Sequence, residues 1–84
     1  MSDTEFDVLD ELYFVQPFAY LIDELEMDEL ELKDVLAKLI DKGWVKCYVS
    51  MQEEELSHQV KLEEKFKEYF YLATKAGLMA HNGR

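Results

Sequence analysis

The apolar positions of the chain follow two different periods, and the change falls at Gly43. Before it, apolar residues recur every three or four positions, as on one face of a helix. Val8, Leu9, Leu12 and Tyr13 form one stripe. Thr4, with Asp7 three residues on, supplies a cap, so a first helix is predicted near 4–14. Pro17 suits the first turn of a second helix, where its missing N–H is not needed. Phe18, Leu21, Ile22 and Leu25 then give the i, i+3, i+4, i+7 spacing of a short amphipathic helix over 17–25. Asp28 and Glu31 make an acidic capping box for a third. Its stripe is Leu32, Val35, Leu36, Leu39 and Ile40, and Gly43 ends it, giving 29–42.

After Gly43 the period is two. Val45, Cys47 and Val49 alternate with Trp44, Lys46 and Tyr48, which predicts a strand over 44–50. The aromatic run Tyr69-Phe70-Tyr71-Leu72-Ala73 predicts a second over 67–73, antiparallel to it. Thr74 opens a short last helix through Met79, weakened by Gly77. Between the strands, Met51–Lys65 is polar and carries Glu53-Glu54-Glu55. Residues 51–57 offer little to bury and are expected to be mobile; the alternative for this connection is partial helix over Leu56–Phe66. The 84 residues make one domain, 1–84.

Charge divides the chain at the same place. Residues 1–43 carry 13 acids and 3 bases, and residues 44–84 carry 6 of each, so the net −10 resides in the first half. Such a half repels phosphate backbones. Catalysis finds little support. A domain this small buries only about 60% of its unfolded surface and has little room for a cleft. No Ser–His–Asp order, phosphate loop or metal-ligand spacing stands out, so no enzyme activity, cofactor, metal or small-molecule substrate is expected. His58 and His81 read as loop or terminal residues, and Cys47 reads as a core thiol. A single cysteine admits no internal disulfide and fits a reducing, cytoplasmic setting. No apolar run approaches the roughly 18 residues of a membrane span, and the first residues lack the features of a signal peptide.

Three helices followed by a hairpin is the winged-helix order. Leu36-Ala37-Lys38-Leu39-Ile40-Asp41-Lys42-Gly43-Trp44-Val45 resembles the end of that family's recognition helix and its entry into the wing. Thr74-Lys75-Ala76-Gly77 resembles the threonine-x-x-glycine that closes the wing in bacterial winged-helix transcriptional regulators, although Ala73 stands where leucine is usual and the wing is longer. The fold class this implies is mainly α with a small β-hairpin: a three-helix winged helix-turn-helix with a possible short C-terminal helix. Residues 17–25 and 28–42 would be the helix-turn-helix pair, and 28–42 the helix that enters the major groove in DNA-binding relatives.

That helix is ill suited to DNA. Its face away from the core would show Glu29, Glu31, Lys33, Asp34, Ala37, Lys38 and Asp41, a net −2, with no arginine to read guanine. The first expectation is therefore a non-catalytic interaction module that binds another protein or a second copy of itself. Trp44, Tyr48, Tyr69 and Tyr71 are its candidate contact residues, because a two-stranded hairpin has only one face covered by helices. Whichever of Trp44 and Tyr48 is more exposed should cost about 2 kcal/mol or more of binding when cut to alanine. The alternative is a DNA-binding regulator that uses 28–42 together with Lys33, Lys38, Lys46, Lys65, Lys67 and Lys75. The charge of 28–42 favours the first.

Overall fold

The computed structural model describes residues 1–55 and 59–83. Its elements run α1 Asp3–Asp10, β1 Gln16–Pro17, α2 Phe18–Leu25, α3 Glu29–Asp41, β2 Val45–Tyr48, α4 Leu62–Lys65, β3 Phe70–Ala73 and α5 Lys75–Asn82. The architecture is a mixed α/β domain in which the helices pack with one antiparallel sheet of order β1-β3-β2.

Helix α1 begins at Asp3, and its cap stands two residues before the predicted one. Ser2 Oγ accepts from the Glu5 N–H at 3.1 Å, and Glu5 Oε1 accepts from the Ser2 N–H at 2.9 Å. Glutamate at the third helical position completes this reciprocal box, so Ser2 rather than Thr4 is the cap. The helix also stops short of 14. The Leu12 carbonyl accepts from the Ala73 N–H at 2.9 Å, which draws the chain toward the sheet. Leu12 stays buried while Tyr13 turns outward.

Strand β1 was not expected. It is two residues long, too short for any alternation to show, and pairs Gln16 with Tyr71 and Pro17 with Phe70. Proline is tolerated on such an edge because it withholds only an outward donor. Pro17 thus caps α2 from an extended conformation instead of entering its first turn. Asp28 caps α3 through a single bond from the Leu30 N–H. The far end of α3 closes as the sequence predicts. Gly43 takes φ +76°, its N–H reaches the Ile40 carbonyl, and the Trp44 N–H reaches that of Leu39, each at 2.9 Å. This pair of bonds is a Schellman cap.

Strands β2 and β3 pair antiparallel, with Val45 opposite Ala73 and Cys47 opposite Tyr71. Partners across a ladder share a face, so Tyr71 and Ala73 point inward with Val45 and Cys47, and Tyr69 follows two residues earlier. These inward residues meet Val8, Leu9, Leu12, Phe18, Leu21, Leu32, Leu36 and Leu39 in one core. After Tyr48 the chain turns back along β2: Tyr48 bridges Glu54, the Val49 N–H reaches Glu53 and the Glu55 N–H reaches Cys47. Val49 therefore leaves the core side and is exposed. The predicted mobile stretch begins with this hydrogen-bonded turn, and its residues 56 and 57 lie outside the described residues. Helix is found at Leu62–Lys65 within the expected 56–66.

Thr74 opens α5 by accepting from the Gly77 N–H at 3.1 Å. Gly77 is required by close approach: a Cβ there would collide with the Trp44 backbone carbonyl. No helix among the described residues is long and apolar enough to cross a membrane.

Candidate interaction surface

Two of the four aromatic contact candidates belong to the core. Tyr71 is fully buried and Tyr69 nearly so, because the ladder register places them with Cys47. Their hydroxyls are used internally, as buried tyrosines require. Tyr71 donates to the Phe66 carbonyl at 2.7 Å, and Tyr69 accepts from the Lys61 N–H at 3.0 Å. Burial pushes the Tyr71 phenol well above the usual tyrosine range. Together the two rings tie residues 61–66 to the sheet. Trp44 and Tyr48 remain partly exposed, each with a lysine over its ring: Lys42 Nζ lies 4.7 Å from the Trp44 centroid and Lys46 Nζ lies 5.7 Å from that of Tyr48.

The lysines nominated for DNA divide into two sets. Lys33 bonds Glu63 at 2.9 Å, Lys67 bonds Glu29 at 2.9 Å, and Lys46 pairs with Glu54 at 3.3 Å. Lys33 is only 14% exposed at its side chain, so it does not belong to the open face of α3. The Glu63 bond raises its pKa against the opposing effect of burial. Lys38, Lys65 and Lys75 are exposed and make no ion pair among the described residues. They lie on three separate elements: α3, α4 and α5.

The surface of α2 and α3 is acidic. Asp23, Glu24, Glu26, Asp28, Glu29, Glu31, Asp34 and Asp41 are exposed there, against Lys38 and Lys42. One apolar residue stands among them. Leu30 is 59% exposed in the first turn of α3, off the stripe that runs from Leu32 to Ile40. The sequence carries its signal, an apolar residue two positions ahead of the periodic series.

Lys42 joins the helical half internally. It bonds Glu5 Oε2 at 2.7 Å, and that carboxyl is 9% exposed. This bond, helped by the Ser2 N–H, holds Glu5 down to about 2. Cys47 is the reverse case. Burial, with Glu55 adding to it, pushes its thiol up to about 12, which leaves no thiolate for nucleophilic chemistry near neutral pH.

His81 is placed more firmly than the sequence suggests. It sits on α5 with its ring stacked on Phe6 at 4.1 Å and its Nδ1 2.8 Å from the Tyr13 hydroxyl. Asp10 Oδ1 lies 3.2 Å from its Nε2. The arrangement docks α5 on α1. His58 lies outside the described residues. Among the described residues, no group of three or more His, Cys, Asp or Glu side chains is placed to hold a metal ion. No family model, curated protein or solved structure matches the chain.

Proposed function

We propose that the chain is a non-catalytic winged-helix module that binds protein rather than nucleic acid. The order helix, strand, helix, helix, hairpin, with β1 added to the outer edge of β3, supports the winged-helix reading. So does Thr74 closing the hairpin with a cap on Gly77. In this reading α2 and α3 are the helix-turn-helix pair, and β2 and β3 carry the wing.

The observation that carries the functional half is the pairing of the lysines. Lys33, Lys46 and Lys67, three of the six lysines nominated to meet phosphates, are bonded to carboxylates of the same chain. Each must break that pair before it can neutralise a phosphate, and phosphate neutralisation supplies most non-specific DNA affinity. Meanwhile the helix that would face the groove keeps its acids exposed. A surface of that sign, with Leu30 at its edge and Trp44 at the end of α3, suits a protein with a basic face. A second copy of the chain is the other possible partner.

Labelled duplex DNA measured by fluorescence anisotropy over a salt series tests the reading. Binding at physiological salt should be no tighter than about 10⁻⁴ M. Sub-micromolar, sequence-selective binding would overturn it and restore a regulator that uses Lys38, Lys65 and Lys75.

A further inference from the structure

A groove of about 180 Å³ lies on the acidic side, between the first turns of α2 and the start of α3. Phe18, Ala19 and Ile22 supply its apolar lining, Asp23 and Glu29 its carboxylates, and Lys67 one ammonium. Phe18 is held from behind by an edge-on contact with Phe66 at 5.3 Å, so the floor is backed by core. Lys67 Nζ sits 2.9 Å from Glu29 Oε1 and 5.9 Å from the centre of the Phe66 ring. The groove therefore already receives a long cationic side chain, one from its own chain.

We propose that this groove takes an arginine side chain from a basic segment of a partner protein. The proposal rests on the protein-binding reading above and names the chemistry of the partner. An arginine stem is three methylenes of apolar surface, which matches Ala19 and Ile22, and its head is a fork of donors suited to carboxylates. Two carboxylates against one ammonium leave the site negative. The positive end of α2 offsets this by at most about half a charge. Asp23 makes no ion pair among the described residues, so it is open to an incoming cation from the start. Lys67 acts as an internal competitor: the guanidinium displaces its ammonium from Glu29, and the freed lysine is exposed enough to return to water.

Titration with a short arginine-rich peptide, followed by backbone chemical shifts, tests this against general attraction to a chain of net −10. Saturable shifts should centre on Ala19, Ile22 and Asp23. Asp23→Asn should weaken binding about tenfold, as expected for loss of a charge-assisted bond. Asp34→Asn removes the same charge from α3 outside the groove and should change it less than about twofold. Lys67→Ala should tighten binding about threefold, whereas Lys65→Ala, with the same change of charge, should not. Equal effects for each pair, or no saturable binding at millimolar peptide, would overturn the proposal. So would a dimer of the chain that Asp23→Asn dissolves, since the occupant would then be a second copy. None of these results touches the DNA measurement, on which the protein-binding reading itself stands or falls.

Discussion

The helical half and the hairpin half of this domain handle charge in opposite ways. Residues 1–43 carry a surplus of ten acids, and most of those on α2 and α3 face solvent. Residues 44–84 are balanced, and two of their lysines are spent on pairs, Lys46 within that half and Lys67 across to Glu29. Lys33 makes the reverse crossing to Glu63. These three lysines thus serve as ties within the fold, while most of the exposed acids of α2 and α3 make no ion pair among the described residues. The chain's net charge understates this polarity, because a partner meets the surface field of one side and not the sum.

The comparison is most sharply tested around Gly43 and Trp44, where the two halves join. Gly77→Ala drives a methyl into the Trp44 carbonyl and should cost about 3 kcal/mol or more, read from denaturant melts. Gly43→Ala meets open space and strains only the backbone at φ +76°, so it should cost about 1 kcal/mol. Equal costs would mean that α5 does not press on the entry to β2 as described.

Tyr71→Phe comes next. It removes the donor to the Phe66 carbonyl inside the core and should cost about 2 kcal/mol. Tyr48→Phe, on the outer face of the same ladder, should fall within about 0.5 kcal/mol. If Tyr48 proved the costlier, the two faces of the sheet would be assigned the wrong way round.

Glu5 gives a smaller, pH-dependent effect. Its carboxyl titrates near 2 when folded and near 4.5 ordinarily. A carboxyl whose pKa falls on folding stabilises the fold above its unfolded value and loses that contribution as pH drops from about 4.5 to about 2. With screening at the half-exposed Lys42 end, the contribution should be about 1 kcal/mol. Melts of Glu5→Gln at pH 7 and pH 3 should differ from each other less than those of the parent chain do. An unchanged difference would remove Glu5 from the acid response. The smallest effect is expected at Lys46→Ala: within about 0.5 kcal/mol on stability, and no change in DNA affinity. A clear loss of DNA binding there would return the hairpin to the nucleic-acid reading.

Much of this fold can be read from particular residues. Leu32, Leu36 and Leu39 announce α3, and Gly43 its end, because a long stripe and a left-handed stop reinforce each other. The switch to alternation at Val45 announces β2. Strand β1 is hidden, since two residues carry no period. The burial of Tyr69 and Tyr71 depends on register, which pairs residues 24 positions apart, Cys47 with Tyr71, and no local pattern encodes it. Composition gave the sign of the surface. It gave neither the partners of Lys33, Lys46 and Lys67 nor the groove beside Phe18, which exist only once the turn after β2 folds back and residues 63–67 pack against α2 and α3.

Thr74 has one further consequence. Its N–H reaches the Trp44 carbonyl at 2.9 Å, its hydroxyl donates to the Gly43 carbonyl at 2.6 Å, and its oxygen accepts from the Gly77 N–H. The end of α3, the first residue before β2 and the start of α5 are therefore fastened at a single residue, two of them through its hydroxyl and one through its backbone N–H. Fraying of the last helix from its N-terminal side must also release the other two, so local opening is coupled to opening of the hairpin. In native-state hydrogen exchange the amides of Thr74 and Gly77 should share one opening free energy with Lys46 and Tyr48, a single cooperative unit that joins α5 to the hairpin.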